Sequence, residues 1–320
     1  MPRDDSFQKK MRIVVTGGAG FIGSSLVDFL IKNNHEVIII DDFSTGKFEN
    51  IKANIDHLTL IEQKVENLNF ETMTGVDALI HLAAQASVPL SIENFKDSSK
   101  TNLLSSINVI DFCSSKKIPL VYASSSAVYG SLPLGDDENN EIDLLTPYAA
   151  DKFSMELYAE VAFKLHGLSS IGLRFFNVYG PRQDPKSPYS GVISIFVDRI
   201  IAEKEITING GYQTRDFIFV NDVIDCIYKS LLLATTEKVS ETINVLTGVS
   251  TSIDNLVDII SKQTGCIVKK KYKSLEKGDV EKSAGNAEKM FRLLKIKENT
   301  FTDIGKGLGI TIDFLKSEND

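Results

Sequence analysis

The chain has 320 residues, 42% of them hydrophobic and 24% charged, with a formal net charge of −8. That length suits one large or two interlocked domains with a substantial core, and the composition is that of a soluble globular protein. The acidic balance speaks against a nucleic-acid footprint, and no apolar run approaches the roughly 18 residues of a membrane span.

Residues 1–10 are polar and read as a disordered extension rather than a signal peptide. Residues 11–16 (MRIVVT) form a β-branched run that predicts a strand. Gly17, Gly20 and Gly23 follow, then an apolar helical pattern through Leu26, Val27, Leu30 and Ile31. Strand, glycine turn and helix in that order are the context a dinucleotide fingerprint requires. The spacing is G-x-x-G-x-x-G, and the mechanics carry over: Gly17 permits the tight turn, Gly20 lets a pyrophosphate approach the helix N-terminus, and Gly23 allows close helix–strand packing. A second strand over 36–41 ends in Asp41 and Asp42. A carboxylate there accepts hydrogen bonds from ribose hydroxyls and repels a 2′-phosphate, so NAD is expected over NADP; Asp42 can also cap a turn. The loop of Phe43, Ser44, Thr45 and Gly46 reads as wrapping the adenosine.

Further strands are expected over 58–62, 77–82, 118–124 and 169–175, with helical patterns filling most gaps. Such alternation predicts an α/β fold, a Rossmann-like doubly wound parallel sheet. Right-handed crossovers then gather the strand C-termini on one edge, where the glycine loop, Asp41, Leu82, Ala83, Ala84 and Ser125 converge. Ser124, Ser125 and Ser126 end one strand, and Tyr148 and Lys152 stand four apart at the start of a helix, on one face. A cation beside a phenol favours phenolate, which makes Tyr148 a candidate proton acceptor.

Beyond a long irregular connection from about residue 179, shorter elements are expected: strands near 205–209, 216–219 and 241–246, and helices near 192–203, 221–234, 252–264, 286–294 and 303–316. The expected division is a nucleotide-binding domain over 11–178 and a smaller α/β substrate domain over 179–320, with the chain returning to the main sheet near 241–246. The basic run at 269–273 reads as a solvated strand edge. Cys113, Cys226 and Cys266 are scattered and odd in number, as thiols of a reducing cytoplasm would be. Neither they nor His35, His57, His81 and His166 have metal-ligand spacing, so no metal is expected.

The motifs TGGAGFIG, DDFSTG, HLAAQASV, SSSAVYG, PYAADK, RFFNVYGPR and TRDFIFVNDV run in order along nearly the whole chain. In this it resembles the extended short-chain dehydrogenase/reductases, in particular their NDP-sugar epimerase/dehydratase branch. The resemblance implies that NAD meets Gly17, Gly20, Phe21, Ile22, Asp41, Asp42, Ser44, Thr45 and Gly46. Further along, the implied contacts are Val65, Leu82, Ala83, Ala84, Gln85, Asn102, Tyr148, Lys152, Phe175 and Val178. The implied catalytic set is Ser125, Tyr148 and Lys152. The implied sugar-nucleotide contacts are Ser87, Val88, Ser125, Ser126, Tyr148, Asn177, Val192, Arg215, Asp279 and Ser283, with Arg215 on the diphosphate.

The resemblance further implies that Tyr148 takes the sugar hydroxyl proton as the C4 hydrogen passes to the nicotinamide. Ser125 would bond the developing oxyanion, and Lys152 would hold the ribose and lower the Tyr148 pKa. Dehydratases of this branch carry an Asp-Glu pair where this chain has Ser126 and Ala127, and the uronate decarboxylases carry Glu at the Ala127 position. This leaves 4-epimerisation as the expected reaction; a UDP-glucuronate epimerase, another dehydratase- or decarboxylase-like enzyme and a non-catalytic NAD-binding sensor stay open. Ser283 stands where a bulky aromatic excludes N-acetyl groups, which favours UDP-N-acetylglucosamine and UDP-N-acetylgalactosamine, with UDP-glucose and UDP-galactose also accepted. Glu276 replaces the usual diphosphate-binding Arg, beside Lys277, and Lys64 replaces an adenine-meeting Asp. Helices over 94–116 and 149–166 are expected to pair in a homodimeric four-helix bundle.

Overall fold

A computed structural model describes residues 9–139, 141–187, 190–274, 280–298 and 300–318. Most of the expected 1–10 extension, together with Glu276, Lys277 and Asp279, lies outside the described residues. The nucleotide half contains β1 (Arg12–Thr16), α1 (Phe21–Lys32), β2 (Glu36–Asp41), β3 (Leu58–Glu62) and β4 (Ala78–His81). It continues with α2 (Val88–Glu93), α3 (Phe95–Ser99), α4 (Ser105–Lys116), β5 (Leu120–Ser125), α5 (Pro147–His166) and β6 (Ser170–Phe175). Then come β7 (Asn177–Tyr179), α6 (Val192–Ile201), β8 (Ile206–Asn209), β9 (Thr214–Phe219), α7 (Val220–Thr236) and β10 (Ser240–Val245). The chain closes with β11 (Ser250–Ser252), α8 (Ile253–Thr264), β12 (Lys270–Lys273), β13 (Lys282–Ser283), α9 (Glu288–Leu294) and α10 (Ile304–Ser317).

Seven parallel strands form the main sheet in the order β10-β6-β5-β4-β1-β2-β3. The inner strands are apolar and β-branched because helices cover both faces, so every side chain of β1 beyond Arg12 is buried. One apolar layer holds Leu26 and Leu30 of α1 with Val223 and Leu231 of α7. The other holds Val109 and Phe112 of α4 with Met155 and Ala159 of α5. The order of strands reverses at β1 and β4, and a crevice opens there beyond their C-terminal ends.

The second half builds a small sheet around β9, which pairs with β11, β13 and β7. The basic run forms β12, an exposed strand parallel to β8. The expected helix over 94–116 is interrupted: α3 gives way to a π-helical turn, Lys100–Leu104, before α4 begins. Ser105 and Ser106 there turn their hydroxyls back onto the carbonyls of Thr101 and Asn102. Such bonds compete with the regular ladder, and single π turns often mark functional positions. Helix α5 starts cleanly because Thr146 caps it through Ala149 N–H at 3.2 Å and Pro147 occupies its first turn.

Candidate active site

The glycine loop follows β1 directly. Gly17 has φ of 71°, and its N–H donates to Ile40 O at 2.8 Å. A Cβ on Gly17 would lie 2.8 Å from Ala83 N, and one on Gly23 would lie 2.0 Å from Gly17 O. Both positions therefore need glycine, and the bare backbone leaves room against the N-terminus of α1 for a pyrophosphate.

Asp41 ends β2 with both carboxylate oxygens engaged: Oδ2 accepts from Ala19 N at 2.8 Å and Oδ1 from Phe43 N at 2.9 Å. Burial pushes its carboxyl pKa up, with these backbone bonds opposing. Each oxygen has a second lone pair, so ribose hydroxyls can still be accepted. Gly46 packs on this carboxylate, where a Cβ would sit 2.7 Å from Oδ1. Asp42 caps the turn, accepting from Ser44 N at 3.0 Å and Ser44 Oγ at 2.6 Å.

The loop after β4 is held from behind. Thr16 Oγ1 accepts from Leu82 N and Ala83 N, each at 3.2 Å, and meets His81 Nδ1 at 2.7 Å. Burial, and the nearby Lys152, push His81 down to about 3, so its ring is neutral. Asn102, in the π turn, accepts from Gln85 N at 2.8 Å and donates to Gln85 O at 3.1 Å. Gln85 and Asn102 thus brace this wall without lining the cavity itself.

Ser125 is the last residue of β5. Its Oγ accepts from Ala127 N at 3.1 Å, and its hydroxyl favours the ionised form of the Tyr148 phenol. Lys152, one turn further along α5, donates to Ala123 O at 2.7 Å and lies 5.8 Å from the centre of the Tyr148 ring. Burial brings the Lys152 ammonium down to about 8, opposed by the carboxylates of Asp151 and Glu156. The Tyr148 phenol differs from the expectation. Burial pushes its pKa up, and the opposing influence is the Ser125 hydroxyl.

These parts enclose a cavity of about 430 Å³. Of the expected cofactor residues, Gly17, Gly20, Phe21, Ile22, Asp41 and Asp42 line it near the glycine loop. Ser44, Thr45, Val65, Leu82, Ala83, Ala84, Phe175 and Val178 line it too. Ser125, Tyr148 and Lys152 line it as well. A dinucleotide fits this donor set: a glycine cradle, carboxylates at the second strand and a hydroxyl–phenol–ammonium group.

Of the described residues expected to meet the sugar nucleotide, Ser125 and Tyr148 line this cavity, whereas Ser87, Val88, Ser126, Asn177, Val192, Arg215 and Ser283 do not. Ser87 caps α2 through Leu90 N at 3.1 Å, with Val88 the first residue of that helix. Ser126 opens a 3₁₀ turn, Ser126–Tyr129. Asn177 donates to Asp216 O at 2.9 Å, and Val192 opens α6. Ser283 and Arg215 are register partners on β13 and β9, which brings two residues far apart in sequence side by side. Gln63, Glu66, Thr101, Ser105 and Gln183 also line the cavity, as does Lys64, none of which was assigned a contact from the sequence. Gln183 directly follows the RFFNVYGPR segment, which was its one signal.

A family profile described as the NAD dependent epimerase/dehydratase family matches residues 13–245. The UDP-glucose 4-epimerase of Mycolicibacterium smegmatis is 30% identical, covering 97% of this chain and 100% of the relative. The fold is similar to that of UDP-glucose 4-epimerase from Thermotoga maritima, solved with UDP-glucose: TM-score 0.89, 33% identity, 97% of this chain and 100% of that one. It is equally similar to UDP-N-acetylglucosamine 4-epimerase from Methanobrevibacter ruminantium, solved with UDP-N-acetylmuramic acid: TM-score 0.90, 34% identity, 97% and 100%. With its glycine cradle, acidic second strand and Ser125–Tyr148–Lys152 group, the chain belongs to the NAD-dependent epimerase/dehydratase family of extended short-chain dehydrogenase/reductases.

Proposed function

We propose that this enzyme is a UDP-sugar 4-epimerase that interconverts UDP-N-acetylglucosamine and UDP-N-acetylgalactosamine and also accepts UDP-glucose and UDP-galactose. The observation that carries this reading is the gathering of Ser125, Tyr148 and Lys152 on the wall of the dinucleotide cavity, with no acidic residue at Ser126 or Ala127. Removing water from a sugar needs a second acid and base, whereas inverting one carbinol needs a single proton shuttle and one donor. Bound NAD supplies a reversible acceptor for the hydrogen on C4. Tyr148 takes the hydroxyl proton and returns it after the sugar has presented its other face. Ser125 donates to the oxygen as charge develops on it. Lys152 keeps a positive charge near the phenol, and Arg215 grips the diphosphate so that the hexose alone turns. The small Ser283 beside Arg215 leaves room for an N-acetyl group.

The test is proton NMR of UDP-N-acetylglucosamine with purified protein and no added cofactor. A second anomeric signal from the galacto isomer is expected. An unsaturated or deoxy product, or conversion of UDP-glucuronate alone, would replace this reading with another member of the branch.

A homodimer is part of the proposal. Leu157, Val161 and Leu165 recur every fourth residue along α5 and remain 47%, 48% and 71% exposed. Such a stripe on a helix that already buries its other face favours a second helix pair against it. The parent should sediment at twice its 35.3 kDa chain mass, and Val161→Asp with Leu165→Asp should sediment as single chains. Among the described residues no helix is long and apolar enough to cross a membrane.

A further inference from the structure

The turn after β7 runs from the second half of the molecule back over the nucleotide half, and three consecutive side chains leave it in different directions. Arg182 has φ of 70°, a left-handed backbone uncommon for a residue with a side chain. Its Nη2 reaches Asp28 Oδ2 on α1 at 2.7 Å. Asp184 Oδ2 pairs at 3.0 Å with Lys47, which ends the loop that carries Ser44 and Thr45. Between these two anchors Gln183 lines the dinucleotide cavity. Its Nε2 donates to Val178 O at 3.3 Å, while its Oε1 is buried without a hydrogen-bond partner.

Both anchor points are themselves fixed. Asn54 Nδ2 donates to Asp28 Oδ1 at 2.7 Å, and Lys47 N–H donates to Ala19 O at 3.0 Å, beside the glycine loop. A buried amide oxygen without a donor is uncommon in a folded protein, and ribose hydroxyls are donors that a dinucleotide brings with it.

We propose that residues 180–184 form a latch that retains the cofactor: the Arg182–Asp28 and Lys47–Asp184 pairs hold Gln183 across the cavity, where its Oε1 accepts from a ribose hydroxyl. This rests on NAD as the occupant of the cavity. A partly exposed ion pair adds little to global stability. Here both pairs oppose the opening of one short turn, so their effect falls on the release rate. An epimerase regenerates its dinucleotide at each turnover and gains from keeping it.

The experiment measures NAD release from the loaded protein, by quantifying dinucleotide left in the protein peak after timed gel filtration, with thermal melting as the check on folding. Gln183→Ala should release NAD about tenfold faster and Asp184→Asn about threefold faster. The charge swap Lys47→Asp with Asp184→Lys should return release to near the parent rate. Release at the parent rate in both single variants overturns the latch. A swap that releases as fast as Asp184→Asn overturns the pairing on which it depends. A parent that retains no NAD overturns the latch together with the cofactor assignment, which separates the two failures.

Discussion

Tyr148→Phe should lower turnover by a factor of roughly 10² to 10⁴, the range general acid–base groups contribute, while the purified protein keeps its dinucleotide. The substitution removes one oxygen and leaves the ring, so the packing at the start of α5 is retained. Lys152 stays bonded to Ala123 O, and the glycine cradle and Asp41 are untouched. Ser125 still accepts from Ala127 N. The measurements are the initial rate of isomer formation and the dinucleotide content of the gel-filtered variant. A variant that turns over at the parent rate would remove Tyr148 from the chemistry. One that is inactive and also empty of NAD would show that the phenol supports cofactor binding, and the loss of rate would then say nothing about proton transfer.

The burial of this phenol sharpens the expectation. Burial holds the Tyr148 hydroxyl above its ordinary pKa. The same burial brings Lys152 down to about 8. Ionising the phenol at working pH therefore depends on positive charge arriving at its end of the cavity, in addition to the ammonium already there.

Legibility in the sequence divides along physical lines. The parallel strands were readable because burial on both faces demands uninterrupted apolar, β-branched runs, as in Ile13–Val15 and Val37–Ile40. The glycine loop was readable because Gly17 and Gly23 have no room for a Cβ. Strands of two or three residues, such as β7, β11 and β13, are too short to show alternation. The break at Lys100–Leu104 was hidden because its apolar pattern runs on into α4, while side-chain hydroxyls decide the backbone path. The role of Asn102 as a brace behind Gln85 rather than a wall residue depends on where that turn rotates its side chain, which no spacing rule gives. Gln183 sits in a polar connection with no period, and only the ion pairs on either side give it a defined position. Asp41 was correctly placed at the end of β2, but its bonds to Ala19 and Phe43 come from loop geometry.

Glu156→Gln should destabilise the protein by about 3–5 kcal/mol, the cost of breaking a buried ion pair by neutralising one member. Glu156 lies on the face of α5 that carries Tyr148 and Lys152, eight residues beyond the first and four beyond the second. Both it and Arg174 of β6 are nearly inaccessible, at 6% and 7% side-chain exposure. The pair is bidentate: Arg174 Nε donates to Oε1 at 2.9 Å and Nη2 to Oε2 at 2.7 Å. Ser124, next to Ser125, also donates to Oε1, and Arg174 Nη1 donates to Tyr129 Oη at 2.8 Å. Tyr129 in turn donates to Asn244 Oδ1 of β10 at 2.7 Å. One carboxylate therefore ties α5 to β5 and β6, and through Tyr129 to β10, and fixes the rotation that aims Tyr148 at Ser125. Glu156→Gln leaves the Arg174 guanidinium buried without its counter-charge, and should lower both the melting temperature and the turnover rate. Replacing both members, Glu156→Met with Arg174→Met, removes the buried charge altogether, which is often neutral for stability. That double variant should recover most of the melting temperature and little of the turnover, because packed methionines do not specify the helix rotation. Recovery of both together would mean that the pair contributes stability alone, and that the aim of Tyr148 is set elsewhere along α5.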